Sequence, residues 1–170
     1  TKKTDVWLES SFSNDERHVR RLDKVKDYHK GIYPRIGVAV MPINSERQIL
    51  LGLRKQKDGH GDGEWALPGG HMEKEETVLQ TASRELFEET TLKVPTEDIT
   101  YLTHTNDFYG YRHYLTMVAT VTIENPNEVK IGEPLKCEKW EWFSIDSMPD
   151  NLMLSTKNLF DKIKEEHITL

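Results

Sequence analysis

The middle of the chain alternates between short apolar runs and groups of turn-forming residues, a pattern typical of β-strands. Residues 36–43 form an almost unbroken apolar run, and residues 48–54 form a second one after a short polar turn. We interpret the two runs as a hairpin of central strands. Residues 55–64 contain three glycines and no apolar residue, which predicts a mobile surface loop. Residues 65–67 predict a short strand, ended by the sequence Pro68-Gly69-Gly70.

Two later segments repeat their apolar residues at helical spacing. Residues 77–90 begin with Thr77 and Gln80 at capping-box spacing, and the apolar residues that recur at +3 and +4 are Leu79, Ala82 and Leu86. Residues 155–165 predict the last helix of the chain, with its inward side formed by Leu159, Phe160 and Ile163. Both helices are therefore expected to pack one face against a sheet.

The remaining strands and the order of the elements indicate the fold class. Residues 99–106 and 111–123 predict two strands around a turn at residues 106–110, and residues 140–143 predict another strand. Helices thus interleave with a mostly β middle region. This order is typical of a mixed α/β fold of the α+β kind, in which a mixed sheet is sandwiched between helices as α/β/α layers.

The N-terminal part of the chain has a different pattern. A capping-box sequence at residues 13–16 is followed by basic residues, which predicts a mildly basic helix over residues 14–30. Its apolar residues form one narrow stripe of Val19, Leu22, Val25 and Tyr28. We predict an N-terminal helical extension at residues 1–33 and one domain at residues 34–170. The stripe can pack on the domain or serve a homodimer interface, and the basic face can contact RNA or another acidic partner.

Composition and charge limit the class of protein. A chain of 170 residues with 36% hydrophobic residues is long enough for one domain with its own core. The formal net charge of −6 excludes a protein that coats nucleic-acid phosphates along its whole length. Cys137 is the single cysteine, which is typical of a cytoplasmic protein. No apolar run is long enough for a membrane span or a signal segment, although a first residue of Thr leaves a trimmed start open.

Three glutamates lie on one face of the helix predicted over residues 77–90. Glu85, Glu88 and Glu89 are spaced 0, +3 and +4, which places them within about 100° of arc. Like charges at this spacing weaken a helix, as does negative charge near its C-terminal end. A bound cation would remove both penalties, and carboxylate ligands without Cys or His suit Mg²⁺, with Mn²⁺ as a substitute. Taken alone, such a face is more often simply solvated.

The residues around these glutamates form a longer motif. From Gly70 to Leu92 they resemble the Nudix box, G-x5-E-x7-R-E-U-x-E-E-x-G-U, in which U is aliphatic. The matching positions are Gly70, Glu76, Arg84, Glu85, Leu86, Glu88, Glu89 and Leu92. The second glycine of the box is Thr91 here, so we expect the helix to end in a different shape. The chain thus resembles the Nudix (MutT-type) hydrolases over residues 34–165.

Motifs outside the box resemble one branch of that family. Leu-Pro-Gly-Gly-His at residues 67–71, His-Tyr-x-Thr at residues 113–116 and Glu-x-Trp-Glu-Trp at residues 138–142 are most similar to the thiopurine-nucleotide diphosphatase branch of the nucleoside triphosphate diphosphatases. The resemblance implies a Mg²⁺-dependent hydrolase that cleaves a nucleoside triphosphate, including an oxidised or modified one, to nucleoside monophosphate and pyrophosphate. Such an activity serves nucleotide sanitation.

The resemblance also implies roles for individual residues. Mg²⁺ would be bound by the carbonyl of Gly70 and the carboxylates of Glu85, Glu88 and Glu89. Glu76 and Arg84 would form a structural ion pair between loop and helix. A metal-activated water would attack phosphorus, and the candidates for the catalytic base are Glu88, Glu89 and Glu138. Glu138 is included because some relatives supply a further metal ligand from a loop after the box.

Substrate recognition rests on aromatic and basic residues near the predicted cleft. The candidates are Arg35, His71, Phe108, Trp140 and Trp142. Nucleobases commonly stack on aromatic rings, while Arg35 and His71 suit contacts with phosphate. Structural alternatives stay open, because Trp140 and Trp142 share one face of a strand and can pack on the sheet, and because Arg35 can form a surface ion pair.

Two other functions stay open. Other Nudix hydrolases cleave ADP-ribose, dinucleoside polyphosphates, nucleotide sugars or capped RNA, and the basic helix at residues 14–30 favours RNA. A Nudix fold can also bind a nucleotide without turnover, although such modules typically lose box glutamates that this chain retains. The expected partner is a small nucleotide or, in one alternative, capped RNA, and not a membrane.

Overall fold

The computed structural model of this chain describes residues 33–55, 61–110 and 112–168. The helix predicted over residues 14–30 lies outside them, so the extension predicted at residues 1–33 stays a prediction. Residues 56–60 of the predicted loop also lie outside. Residues 61–64 form a turn that returns to the sheet, where the backbone N–H of Arg54 donates to the carbonyl of Glu64 at 3.0 Å.

The described residues form seven strands and two α-helices. In chain order they are β1 (Arg35–Asn44), β2 (Gln48–Arg54), β3 (Trp65–Ala66), β4 (Gly69–His71), α1 (Val78–Thr90), β5 (Thr100–Tyr109), β6 (Arg112–Ile123), β7 (Cys137–Ser144) and α2 (Leu154–Glu166). Single turns of 3₁₀ helix lie at Thr96–Asp98 and Pro126–Glu128. The helices predicted over residues 77–90 and 155–165 and the strands of the predicted hairpin are confirmed. None of the helices in this described part is long and apolar enough to span a membrane.

The sheet is mixed, with β1 and β2 at its centre as predicted. Its strand order is β3-β2-β1-β6-β5, while β4 pairs with β1 and β7 pairs with β2. Strands β1 and β6 are parallel from the pair Arg35↔Tyr114 to the pair Asn44↔Ile123, and the other pairs are antiparallel. The parallel pair places the first residues of β1 beside the start of β6, at the edge where the site is built.

Strand β4 was missed by the sequence analysis, which placed the end of a strand at these residues. Strands β1 and β2 pair directly at Ile43↔Ile49, and nearer the start of β1 the strand β4 pairs with it through Val38↔Gly70. A Cβ at Gly69 would overlap the carbonyl oxygen of Val38, so only glycine permits this approach. The chain at Pro68-Gly69-Gly70 therefore continues into β4, which pairs with β1, and does not leave the sheet there.

Strand β5 extends further toward the turn than predicted, to Tyr109, while β6 begins at Arg112, close to its predicted start. Pairing continues through Phe108↔His113 to Tyr109↔Arg112, so the connection is much tighter than the predicted turn at residues 106–110. Gly110, at φ 60°, adopts the left-handed conformation that such a turn requires. The longer β5 carries Asp107 and Tyr109 into the sheet beside α2.

The two helices cover opposite faces of the sheet, which confirms the predicted α/β/α arrangement. One buried cluster joins α1 to the sheet and includes Val38, Val40, Ala82, Leu86, Ala119 and Val121. A second joins α2 to the sheet and includes Met41, Val118, Leu159, Phe160 and Ile163. Successive side chains of a strand point to opposite faces, so Val40 and Met41 enter different clusters. Full burial of a side chain such as Leu86 contributes about 2 kcal/mol.

A buried polar network ties α2 to β5 and β6. The carboxylate of Asp107 is fully buried and accepts hydrogen bonds from the hydroxyls of Thr105 at 3.0 Å and Thr116 at 2.5 Å. It also accepts one from the side-chain amide of Asn158 in α2, at 2.8 Å. A buried carboxylate is tolerated only when its oxygens are paired, so this network fixes α2 on the sheet.

Helix α1 begins as predicted but ends differently from the expectation. Thr77 and Gln80 form both hydrogen bonds of the capping box. At the other end Thr91 adopts the left-handed conformation, with φ 62°, and its N–H donates to the carbonyl of Phe87 at 2.8 Å. The expectation of a different helix end is therefore wrong: Thr91 takes the conformation usually given to glycine, and the helix end keeps its shape.

We expect Thr91→Gly to raise the free energy of unfolding by about 1 kcal/mol, because a β-branched residue pays that much in the left-handed region. Chemical denaturation of both proteins measures the change. Thr122→Gly, at an exposed position of β6, is the matched control and should lower stability. A Thr91→Gly protein that is no more stable than the wild type would contradict this explanation of the helix end.

Candidate active site

The loop before α1 is attached to the helix by an ion pair between Glu76 and Arg84. The guanidinium makes two parallel bonds to the carboxylate, from Nε at 2.7 Å and from Nη2 at 3.0 Å. The Thr81 hydroxyl and the Glu73 backbone N–H also donate to Glu76, at 2.8 and 3.1 Å. Arg84 first and then these donors lower the pKa of Glu76 to about 2. Glu76 is thus held ionised as an anchor for the loop.

Arg84 also contacts the glutamates of the helix. Its Nη1 lies 2.8 Å from Oε1 of Glu85 and 3.1 Å from Oε2 of Glu88. Its Nη2 donates to the carbonyl of His71 at 3.2 Å. One guanidinium therefore joins the box helix, the preceding loop and the end of β4.

Glu89 is the most deeply buried of the three helix glutamates. Its Oε2 accepts a hydrogen bond from the N–H of Gly69 at 3.0 Å. Burial first, and then the charges of Glu85 and Glu133, raise the pKa of Glu89 to about 7, against the lowering effect of the Gly69 hydrogen bond. Burial likewise raises the pKa of Glu85. Burial and neighbouring negative charge thus disfavour the ionised form of both carboxylates, although Arg84 partly offsets this effect at Glu85.

Strand β4 lies directly against these carboxylates. A Cβ at Gly70 would overlap the carboxyl group of Glu85. Gly69 meets Glu89 through the hydrogen bond described above, so the two glycines of β4 face two of the three helix glutamates. The structure therefore places Glu85 and Glu89 against the two glycines of β4, and Glu88 lies at the more exposed edge of the group.

A loop between β6 and β7 closes over the C-terminal end of α1. The N–H groups of Lys130 and Gly132 donate to the carbonyls of Thr90 and Glu89, at 3.0 and 2.8 Å. A Cβ at Gly132 would overlap the carbonyl oxygen of Glu88, so a side chain at this position would lift the loop from the helix. The loop is therefore fixed on the end of the glutamate helix.

This loop places Glu133 beside the helix glutamates, a residue that the sequence analysis missed. The charge of Glu133 acts on both Glu85 and Glu89 and raises the pKa of each. A small cleft lies between this loop, β2 and α1, and its lining includes Gly52, Arg54, Glu89, Glu133, Lys136 and Trp140. Glu138, the loop glutamate chosen from the sequence, is exposed on β7 instead. A glycine directly before Glu133 was the only sequence signal for it.

Arg54 is a second residue of the cleft that the sequence analysis missed. Its Nε atom is buried and lacks a hydrogen-bond partner within the part of the chain that the structure describes. Its charge lowers the pKa of Glu89 slightly, against the larger effect of burial. The cleft thus combines acidic side chains with the cations of Arg54 and Lys136.

The other candidates for substrate binding occupy two separate places. His71 is exposed at the end of β4, with its ring 5.8 Å from that of Tyr114, and Tyr114 is paired with Arg35 across the strands. These three residues adjoin the glycine strand. Phe108 lies at the end of the β5–β6 hairpin, is 63% exposed, and stacks on His113 with ring centres 4.4 Å apart. Tyr114 was not a candidate from the sequence.

The two tryptophans of β7 behave differently from one another. Trp140 packs over Gly52, where a Cβ would approach its ring to 2.6 Å, and its Nε1 donates to the carbonyl of Glu89 at 3.2 Å. Trp142 packs against the α1 cluster and donates to the carbonyl of Pro126 at 3.4 Å. Trp140 therefore lines the cleft while supporting the helix end, and Trp142 makes the contacts of sheet packing.

The donors of the site suit a hard divalent cation. Within the described ranges no group of three His, Cys, Asp or Glu side chains converges as metal ligands do. Arg84 and the N–H of Gly69 hold the carboxylate oxygens of Glu85, Glu88 and Glu89 in their present positions. Burial first, and then neighbouring carboxylates, raise the pKa of Glu85 and of Glu89, and a bound Mg²⁺ or Mn²⁺ would offset both effects. The residues therefore fit the ion.

Comparisons with known proteins agree with this geometry. The sequence profile of the NUDIX domain matches residues 33–163. RNA pyrophosphohydrolase of Bartonella quintana is 24% identical over 155 residues, covering 76% of this chain and 87% of that protein. Oxidized purine nucleoside triphosphate hydrolase of Danio rerio is 34% identical over 112 residues, covering 62% of this chain and 64% of that protein.

A solved structure is similar over most of the chain. The MutT NUDIX hydrolase from Burkholderia pseudomallei superposes with a TM-score of 0.68 at 26% identity, covering 77% of this chain and 98% of that chain. The profile match, the fold and the box residues on α1 agree with one another. The chain therefore belongs to the Nudix family and is a hydrolase of pyrophosphate-containing substrates.

Proposed function

We propose that the chain is a Mg²⁺-dependent nucleoside triphosphate diphosphatase, which cleaves a canonical, oxidised or modified nucleotide to nucleoside monophosphate and pyrophosphate. The observation that carries the proposal is the buried carboxylate of Glu89, with a raised pKa, beside Glu85 and the glycine strand β4. A divalent ion bound to polyphosphate would neutralise carboxylates whose ionised form is disfavoured by burial and by each other's charge.

The metal-binding residues follow from this geometry. The ions would be held by the carbonyl of Gly70 and the carboxylates of Glu85, Glu88 and Glu89. When bound, they screen the phosphate charge and lower the pKa of a bound water. Glu76 and Arg84 keep the glycine strand against α1. Candidates for the base are Glu88, Glu89 and Glu138. The geometry favours Glu133 over Glu138 as the carboxylate that lies after β6 and reaches the site.

Cations of the chain supply the contacts to phosphate in this proposal. Arg54 has a buried Nε without a partner in the described residues, and its side chain lines the same cleft as Glu89. A guanidinium donates two bonds to a phosphate in a fixed geometry, which suits this position. Lys136 is the second cation of the cleft. The two cations supply local positive charge on a chain whose formal net charge of −6 would otherwise repel a triphosphate.

Aromatic rings next to the glycine strand offer a surface on which a nucleobase can stack. The ring of Tyr114 lies 5.8 Å from His71 and 5.9 Å from Tyr109. These rings follow one another from β4 toward α2, where the hydroxyl of Tyr109 accepts a hydrogen bond from the N–H of Ser155 at 3.1 Å. Stacking on such rings is tolerant of base identity, which fits a range of purine and pyrimidine triphosphates. The resemblance to the thiopurine-nucleotide branch stays a prediction.

RNA with a 5′-triphosphate or cap is the second candidate substrate. Its support is the similarity to proteins named RNA pyrophosphohydrolase, such as one from Bartonella bacilliformis that is 22% identical over 170 residues and covers 85% of this chain and 97% of that protein. The basic helix predicted at residues 14–30 would steer such a polyanion toward an acidic domain. Its removal should then impair RNA cleavage far more than nucleotide cleavage.

A substrate panel tests the proposal. We expect Mg²⁺-dependent turnover to be fastest with nucleoside triphosphates among a set that also holds ADP-ribose, diadenosine polyphosphates, nucleotide sugars and capped RNA. The measurement is release of phosphate or pyrophosphate, with EDTA as the control. Preference for RNA would move the assignment to the second candidate. Binding of nucleotide without turnover of any substrate would support a binding module.

A further inference from the structure

Lys136 and Glu133 form an ion pair at the edge of the proposed metal site. The Nζ of Lys136 lies 2.7 Å from Oε1 of Glu133, and both side chains line the cleft that contains Glu89. The negative charges of Glu133, Glu89 and Glu85 all raise the pKa of Lys136. The ammonium thus sits where a divalent cation bound by the helix glutamates would act on it.

The position of this pair is fixed by the backbone on both sides. Gly132, directly before Glu133, donates to the carbonyl of Glu89, and its lack of a side chain permits that contact. The carbonyl of Lys136 accepts a hydrogen bond from the N–H of Lys55 at 2.8 Å, which ties the end of the turn to the end of β2. Side chains can rotate on this frame while the backbone stays in place.

A divalent cation at Glu85 and Glu89 would change the balance of charge in the pair. It attracts the carboxylate of Glu133 and repels the ammonium of Lys136. We propose that Lys136 is the internal counter-ion of Glu133 in the metal-free protein, and that metal binding exchanges it for the divalent ion and frees the ammonium to bind substrate phosphate. The proposal rests on the proposed function, and it makes Lys136 a substrate-binding residue whose availability depends on the metal.

The test uses Lys136→Met in the full chain, with Mn²⁺ and inorganic pyrophosphate as probes. Calorimetry without pyrophosphate should show about tenfold tighter Mn²⁺ binding. This is the size of the Coulomb repulsion, in water, between an ammonium and a divalent ion about 6 Å apart, which the variant removes. Calorimetry of the Mn²⁺-loaded protein should show about tenfold weaker pyrophosphate binding, because one phosphate contact is lost. Lys136→Arg should restore pyrophosphate binding.

Lys162→Met is the matched control, because Lys162 pairs with Glu166 at 2.9 Å on the surface of α2. It should change neither affinity. Glu133→Gln should weaken Mn²⁺ binding, since the exchanged carboxylate is lost. Unchanged or weaker Mn²⁺ binding by a folded Lys136→Met protein would overturn the exchange, and unchanged pyrophosphate binding would overturn the role in phosphate binding. Neither measurement needs turnover, so a wrong substrate assignment would leave both results interpretable.

Discussion

Glu89→Gln should lower kcat by about 10³-fold, the scale of losing one preorganised charged contact to the reacting groups. The amide keeps the size of the side chain but cannot carry the charge that a divalent cation requires. The same change removes a buried carboxyl whose pKa is raised to about 7, so the variant should be at least as stable as the wild type at neutral pH. Loss of activity with retained stability separates a chemical role from a structural one.

Steady-state kinetics at saturating Mg²⁺ and thermal unfolding of the same preparation in EDTA measure these two quantities. Glu124→Gln is the matched control, because Glu124 is exposed just after β6 and away from the site. Its kcat should equal that of the wild type. A Glu89→Gln enzyme that retains a tenth or more of wild-type kcat would remove Glu89 from the metal site.

The metal-free protein should lose stability as the pH rises from about 4.5 to about 7, relative to Glu89→Gln. The pKa of Glu89 is higher in the folded than in the unfolded chain, so the folded state binds the proton more tightly. The contribution of this proton to the free energy of unfolding is fully present below the pKa of Glu89 in the unfolded chain. It is lost as the pH rises through the pKa of Glu89 in the folded chain. For a rise from 4.5 to about 7 the loss is at most about 3 kcal/mol.

Denaturant unfolding in EDTA at several pH values measures this loss as the difference between the two proteins. Taking the difference between the two proteins cancels the opposite effect of Glu76. The pKa of Glu76 is lowered, so its ionised form stabilises the fold above about pH 4.5, and this stabilisation is lost as the pH falls toward about 2. Mg²⁺ should reduce the difference or reverse it at neutral pH. Parallel stability curves for the two proteins across this range would show that Glu89 is not destabilised by burial.

Local signals were sufficient to predict helix α1 and the shared face of its glutamates. Thr77 and Gln80 form the capping box that their spacing indicated, and Ala82 and Leu86 are buried. The carboxylates share a face because helix geometry alone places residues at +3 and +4 together. Such features need no information from the rest of the chain, and the same holds for the apolar strands β1 and β2.

Contacts between distant backbone segments could not be predicted in this way. Strand β4 depends on the fit of Gly69 against Val38, and the loop over α1 depends on the fit of Gly132 against Glu88. A glycine in a sequence indicates a turn as readily as a close approach, and the partner segment decides between them. The helix end shows the same limit, because surrounding contacts hold Thr91 in a conformation that its own preference disfavours.

The missed residues of the site have the same origin. Glu138 was chosen because some relatives supply a further metal ligand from a loop after the box, whereas Glu133 lies beside the helix glutamates through the docking of Gly132 on Glu89. Arg54 ends an ordinary strand sequence, and its role emerges from a buried Nε without a partner in the described residues. Spacing along the chain identifies residues on one element, while the cleft combines residues of α1, β2, β7 and the loop between β6 and β7.

Identifying the products formed from one nucleoside triphosphate, with Mg²⁺ and with EDTA, tests the proposed reaction most directly. Chromatography of the reaction without added pyrophosphatase should show nucleoside monophosphate and pyrophosphate in equal amounts, with formation abolished by EDTA and by Glu89→Gln. Nucleoside diphosphate with phosphate as the products, or equal turnover in EDTA, would contradict the proposed reaction.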